Sequence, residues 1–152
     1  MNDTTATRTA PPKPVAAAFL DVLAEEGYRP KVDGDREDER SSCIAFKAEG
    51  TTYLLFAYED DPEYLRLGVS YDLGDGRDDT AALAAVANQV NEQVKGVKAV
   101  LSTDDRSVRF SVETFLTGQR VTGALIERAL GALRKAADDF FEARRPPERL
   151  DA

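Results

Sequence analysis

The side chains able to do chemistry in this chain are mostly carboxylates and amides. There is no histidine. That removes Ser-His and Cys-His nucleophile pairs, zinc sites of the H-E-x-x-H type and the commonest general base. Cys43 is the one cysteine, so no intrachain disulfide can form, and a reducing compartment is compatible with that. It stands beside Ile44 at the head of an apolar run, with no basic residue close enough in sequence to favour a thiolate. A packed, unreactive thiol is the expectation.

The carboxylates fall in runs. Asp33, Asp35, Glu37, Asp38 and Glu39 resemble a calcium loop at first glance. The sixth loop position, where such a loop turns on glycine, is Asp38, and no ordered run of ligands follows. The run reads as a solvated acidic loop, with no metal. Gly74-Asp75-Gly76 precedes a helix, and a helix N-terminus can hold phosphate. The loop lacks the G-x-G-x-x-G and G-x-x-x-x-G-K patterns, and Asp72, Asp75, Asp78 and Asp79 would repel an anion. Asp104-Asp105 and Asp138-Asp139 are neighbours in sequence; adjacent helical residues do not face each other, so the second pair is surface charge and the first a turn. No catalytic residue, metal or cofactor is expected.

Asn88 and Asn91 lie three apart, which puts both amides on one side of a helix. Two readings stay open. The amides contact a ligand or partner, or they satisfy backbone groups where the helix meets the sheet or its loops, as buried amides normally do.

Three helices and a sheet must position these groups. Val15, Phe19, Val22 and Leu23 recur at helical spacing, so a first helix is predicted over Val15–Glu26, with Pro14 in its first turn and Gly27 past its end. Tyr28 to Val32 is a short edge strand limited by Pro30, and Asp33 to Ser42 is a loop. Ile44 to Ala48, Thr52 to Tyr58 and Leu65 to Tyr71 form an antiparallel meander with turns at Glu49-Gly50 and at Glu59 to Glu63. Asp79 or Thr80 caps a second helix carrying Leu83, Val86, Ala87, Val90 and Val94, ended by Gly96. Val97 to Leu101 and Val108 to Val112 are two more strands. Thr122 caps a third helix with Ile126, Ala129, Leu130, Leu133, Ala137, Phe140 and Phe141 on its apolar face. The prediction is α+β: an antiparallel sheet of about five strands, in the order α-βββ-α-ββ-α, with helices on one face. Residues 15–143 form one domain, between a disordered, Thr-, Ala- and Pro-rich tail at 1–14 and a C-terminal tail at 144–152.

The strand from Thr52 to Tyr58 is apolar on both faces. A two-residue turn at Glu49-Gly50 sets Phe46 opposite Tyr53 and Ile44 opposite Leu55. With Tyr58 opposite Tyr64, Leu55 meets Leu67. Both registers send Tyr53, Leu55 and Ala57 to the core and leave Leu54, Phe56, Tyr58 and Tyr64 together on the other face. Contiguous exposed apolar surface marks an interaction site, so these four residues are the predicted partner-binding or dimer surface.

The element order, together with Asn88-Gln89-Val90-Asn91, Lys95-Gly96-Val97, the following hairpin and the long amphipathic last helix, resembles the YbjN family and the type III secretion chaperone-like fold it shares. The resemblance spans about Val15 to Phe141. It implies a dimeric, non-catalytic domain that regulates, or that holds a partner protein before export.

Composition narrows the partner. The chain has 152 residues, enough for one domain that needs no metal or disulfide staple. It has 20 Lys plus Arg against 28 Asp plus Glu, a net charge of −8 with no basic stripe along the sequence. Nucleic acid and anionic membranes are therefore poor partners. No stretch nears the ~20 apolar residues of a membrane span, and Met1 to Pro14 lacks the apolar core of a signal peptide. The expectation is a cytoplasmic protein-binding module, with a homodimer among its assemblies. The alternative is a small-ligand sensor or enzyme with a site near Asn88 and Asn91.

Overall fold

The structure is a computed structural model. It describes residues 11–74, 76, 79–104 and 106–145. The tail residues 1–10 and 146–152, together with Asp75, Arg77, Asp78 and Asp105, lie outside the described residues.

The elements are α1 (Pro14–Glu25), β1 (Lys31–Val32), a 3-10 turn (Gly34–Arg36), β2 (Ser41–Ala48), β3 (Thr51–Tyr58), β4 (Tyr64–Asp72), α2 (Thr80–Gln93), β5 (Val97–Ser102), β6 (Ser107–Phe115) and α3 (Gly123–Arg144). The strands form one antiparallel sheet in the order β1-β2-β3-β4-β6-β5. The fold is α+β as predicted, with six strands where about five were expected. The sixth is the short edge strand read over Tyr28 to Val32, which narrows to the two-residue β1 because Pro30 has no N–H to give a ladder. Strand β2 begins three residues earlier than Ile44. Asp38 accepts hydrogen bonds from the backbone N–H groups of Arg40 and Ser41, both at 2.8 Å, and this turn delivers the chain into the strand.

Local chemistry sets the ends of the helices. Gly27 sits at φ +91°, and Tyr28 N–H and Gly27 N–H return to the carbonyls of Leu23 and Ala24. This 6→1 and 5→2 pair stops α1 in a conformation that glycine adopts without strain. The other end of α1 has no capping side chain of its own. Glu59, from the β3–β4 turn, supplies it: its carboxylate accepts from Val15 N at 3.1 Å and Ala16 N at 3.3 Å. A carboxylate there also complements the helix dipole. Asp79 and Thr122 cap α2 and α3, accepting from Ala81 N and Leu125 N.

All three helices contribute to one apolar core. Phe19 and Leu23 of α1, Leu83 and Val90 of α2, and Ile126, Leu130, Leu133 and Phe140 of α3 pack with Ile44, Phe46, Tyr53, Leu55, Leu65, Leu67, Val69 and Phe110 of the sheet. Helix α1 lies on β2 and β3, α3 on β4, β5 and β6, and α2 against β5 and α3. The strand residues in this core alternate with residues that point the other way.

Candidate functional site

The pairing settles which side chains share the outer face. Phe46 lies opposite Tyr53, Ile44 opposite Leu55, and Leu55 opposite Leu67, the registers expected from the two turns. Leu54, Phe56, Tyr58 and Tyr64 are accordingly brought together on the side away from the core. Each is half-buried, and none belongs to the core cluster or packs against it.

The outer face is organised in rows that cross the strands. At one end Tyr58, Tyr64 and Phe115 form a line of tilted rings, with centroids 5.3 and 5.7 Å apart. Phe115 is 71% exposed and is the one large hydrophobic side chain so exposed among the described residues. The next row runs Cys43, Phe56, Arg66, Glu113. The Arg66 guanidinium lies 4.6 Å from the centre of the Phe56 ring and donates to the Tyr58 hydroxyl at 3.4 Å. A cation over an aromatic face is attracted by the ring's quadrupole. Glu113 stands between Arg66 and Lys98, 3.6 Å from each. Burial, followed by the nearby Glu113 charge, pushes the Tyr64 phenol above its usual range. Sequence reasoning missed Phe115, because the last strand was ended at Val112. The alternation Arg109, Ser111, Glu113, Phe115 was the available signal.

Asn91 and Asn88 have different surroundings. Asn91 Nδ2 donates to the Ala99 carbonyl at 3.1 Å, and Ala99 N–H donates to Asn91 Oδ1 at 2.7 Å. The amide thus acts as a short extra strand on the free edge of β5. Asn88 is exposed on α2. Cys43 is fully buried beside Phe56, and burial pushes its thiol up, away from the reactive thiolate.

The acidic loop uses its carboxylates internally. Asp33 accepts from Asp35 N and pairs with Arg36 at 3.3 Å. Asp38's two backbone donors, Arg40 first, hold its carboxyl below the usual range. Among the described residues no group of three or more His, Cys, Asp or Glu is placed to hold a metal ion. No helix among them is long and apolar enough to cross a membrane.

The face therefore offers apolar rings and fixed charges, and on it Ser111 Oγ donates to Glu113 Oε1 at 3.3 Å. Such an arrangement can bind another surface.

Comparison with known proteins follows the fold. Among solved structures, an uncharacterized protein from Methanothermobacter thermautotrophicus is similar at a TM-score of 0.56 and 12% identity, over 84% of this chain and 94% of that one. At that identity the similarity is one of fold. No curated protein matches. The profile of the YbjN family, described as "Putative bacterial sensory transduction regulator", matches residues 16–145. That match runs from the first helix through the sheet to the end of the last helix, and the chain belongs to the YbjN family.

Proposed function

We propose that this chain is a non-catalytic regulator that works in the cytoplasm by binding protein through the outer face of its sheet. A second copy of the chain, giving a homodimer, is one partner this reading admits. The observation that carries it is the row Tyr58, Tyr64, Phe115 beside Phe56 and Leu54: apolar side chains contiguous on a face that the core leaves aside. Monomeric proteins rarely leave such a patch without a use. The alternative, a ligand site at Asn88 and Asn91, has less support, since the Asn91 amide is committed to Ala99.

Phe56→Asp tests the reading. The new carboxylate sits beneath Arg66 and can pair with it, so the domain should keep its circular dichroism. Self-association in sedimentation, or capture of a partner from native lysate, should weaken. Unfolding would show that the face is internal. A folded variant with unaltered association would remove the face from the function.

A further inference from the structure

Charge is unevenly divided between the two sides of the sheet. The outward positions of the six strands carry Lys31, Lys47, Arg66, Lys98 and Arg109, against only Asp72 and Glu113. The other 26 of the 28 acidic residues, and 15 of the 20 basic ones, lie elsewhere in the chain. The strands of an acidic protein thus turn a basic set of side chains outward, with Glu37, Asp38 and Glu39 sharing a cleft with Lys31 at the β1 edge. Nothing in the linear sequence shows this, because the five cations come from five separate strands.

Glu113 neutralises part of the charge by pairing with Arg66 and Lys98. Lys31, Lys47 and Arg109 have no carboxylate within ion-pair distance among the described residues. Between the aromatic rows and the row of Lys47 and Arg109 runs Ala45, Leu54, Gly68, Ser111. Gly68 and Ser111 are buried and small, so this row is low. Lys31 and Lys98 stand at its two ends. Six strands spaced at about 4.8 Å make the row roughly 24 Å long, the reach of about seven extended residues.

We propose that the outer face receives an acidic segment of another protein, laid across the strands, with apolar side chains on the aromatic rows and carboxylates toward Lys31, Lys47, Lys98 and Arg109. The inference rests on the protein-binding reading above and adds the chemistry of the partner. Opposite charge steers the encounter and selects among partners, while the rings supply contact area. Single-stranded nucleic acid also combines negative charge with stacking, but the rings here pack against one another, and Arg66 already covers Phe56. The charge of the whole chain repels a polyanion as well.

The test uses the full chain and labelled peptides with the same apolar residues but net charge graded from acidic to basic, read by fluorescence anisotropy. Lys47→Glu, Lys98→Glu and Arg109→Glu together reverse three exposed charges without touching the core. Phe115→Ser removes apolar contact alone. The expected result is tightest binding to the acidic peptides, weakening with salt, cut about tenfold or more by the triple reversal and also reduced by Phe115→Ser. Binding indifferent to peptide charge and to the reversal, yet lost in Phe115→Ser, overturns the acidic partner and leaves the protein-binding face standing. Failure of every peptide, together with unaltered association in Phe56→Asp, removes both. Preference for a single-stranded oligonucleotide, or self-association abolished by the triple reversal with no peptide binding, overturns the proposal in favour of nucleic acid or of a second copy.

Discussion

Replacing Asn91 by alanine tests whether this amide is part of the fold. The side chain makes two hydrogen bonds to Ala99, at 3.1 and 2.7 Å. Each such bond contributes about 0.5–1.5 kcal/mol net, and unsatisfied buried partners raise the cost. Asn91 itself is exposed, so water can reach the freed groups of Ala99 and the loss stays near the lower half of that range. Asn91→Ala should cost about 1–2 kcal/mol, a fall of roughly 2–8 °C in melting temperature for a chain of this size. Asn91→Asp keeps the acceptor for Ala99 N–H but sets a carboxylate against the Ala99 carbonyl, so it should destabilise too. Asn88→Ala should change stability by no more than about 0.5 kcal/mol, because its side chain faces solvent. Thermal unfolding followed by circular dichroism reads all three. An unchanged midpoint in Asn91→Ala, or an equal loss in Asn88→Ala, would refute the structural role and return both amides to candidacy for a ligand.

Phe140→Ala should cost about 3–5 kcal/mol in a urea titration, since the ring is fully buried and meets Phe110 edge-on at 5.7 Å; a midpoint equal to wild type would place Phe140 outside the core. Glu59→Ala should cost about 1 kcal/mol by uncapping α1, and Glu59→Gln less, because one acceptor remains; no loss in either would make the contact incidental. The Tyr28 phenol is pushed up to about 12, first by donating its proton to the Glu127 carboxylate, then by burial. The folded value lies above the unfolded one, so this contribution to stability is complete below pH 10 and is lost as the pH climbs to about 12. Tyr28→Phe should delete the phenolate absorbance step near pH 12 and soften the alkaline loss of stability; an unaltered titration would show that Tyr28 ionises elsewhere.

Much of the fold was legible because its signals are local. Glu49-Gly50 closes a two-residue turn, and the alternation on each side of it then dictates the whole first hairpin, including which face receives Phe56. The helix caps at Asp79 and Thr122 were readable for the same reason. What escaped depends on contacts between distant segments. Glu59 caps a helix 44 residues away. Asn91 finds Ala99 only once α2 lies along the edge of β5. Phe115 joins the aromatic row through the pairing of β6 with β4, beyond the point where hydrophobic alternation faded. The basic character of the outer face exists only after six strands are placed side by side.

The claim at the centre of this account is that the outer face of the sheet meets the partner. A photoreactive phenylalanine analogue at position 115, compared with one at the exposed Arg128 position on α3, tests it in native lysate. Protein adducts are expected from position 115 and none from position 128. Adducts from position 128 alone, or from neither, would contradict the claim.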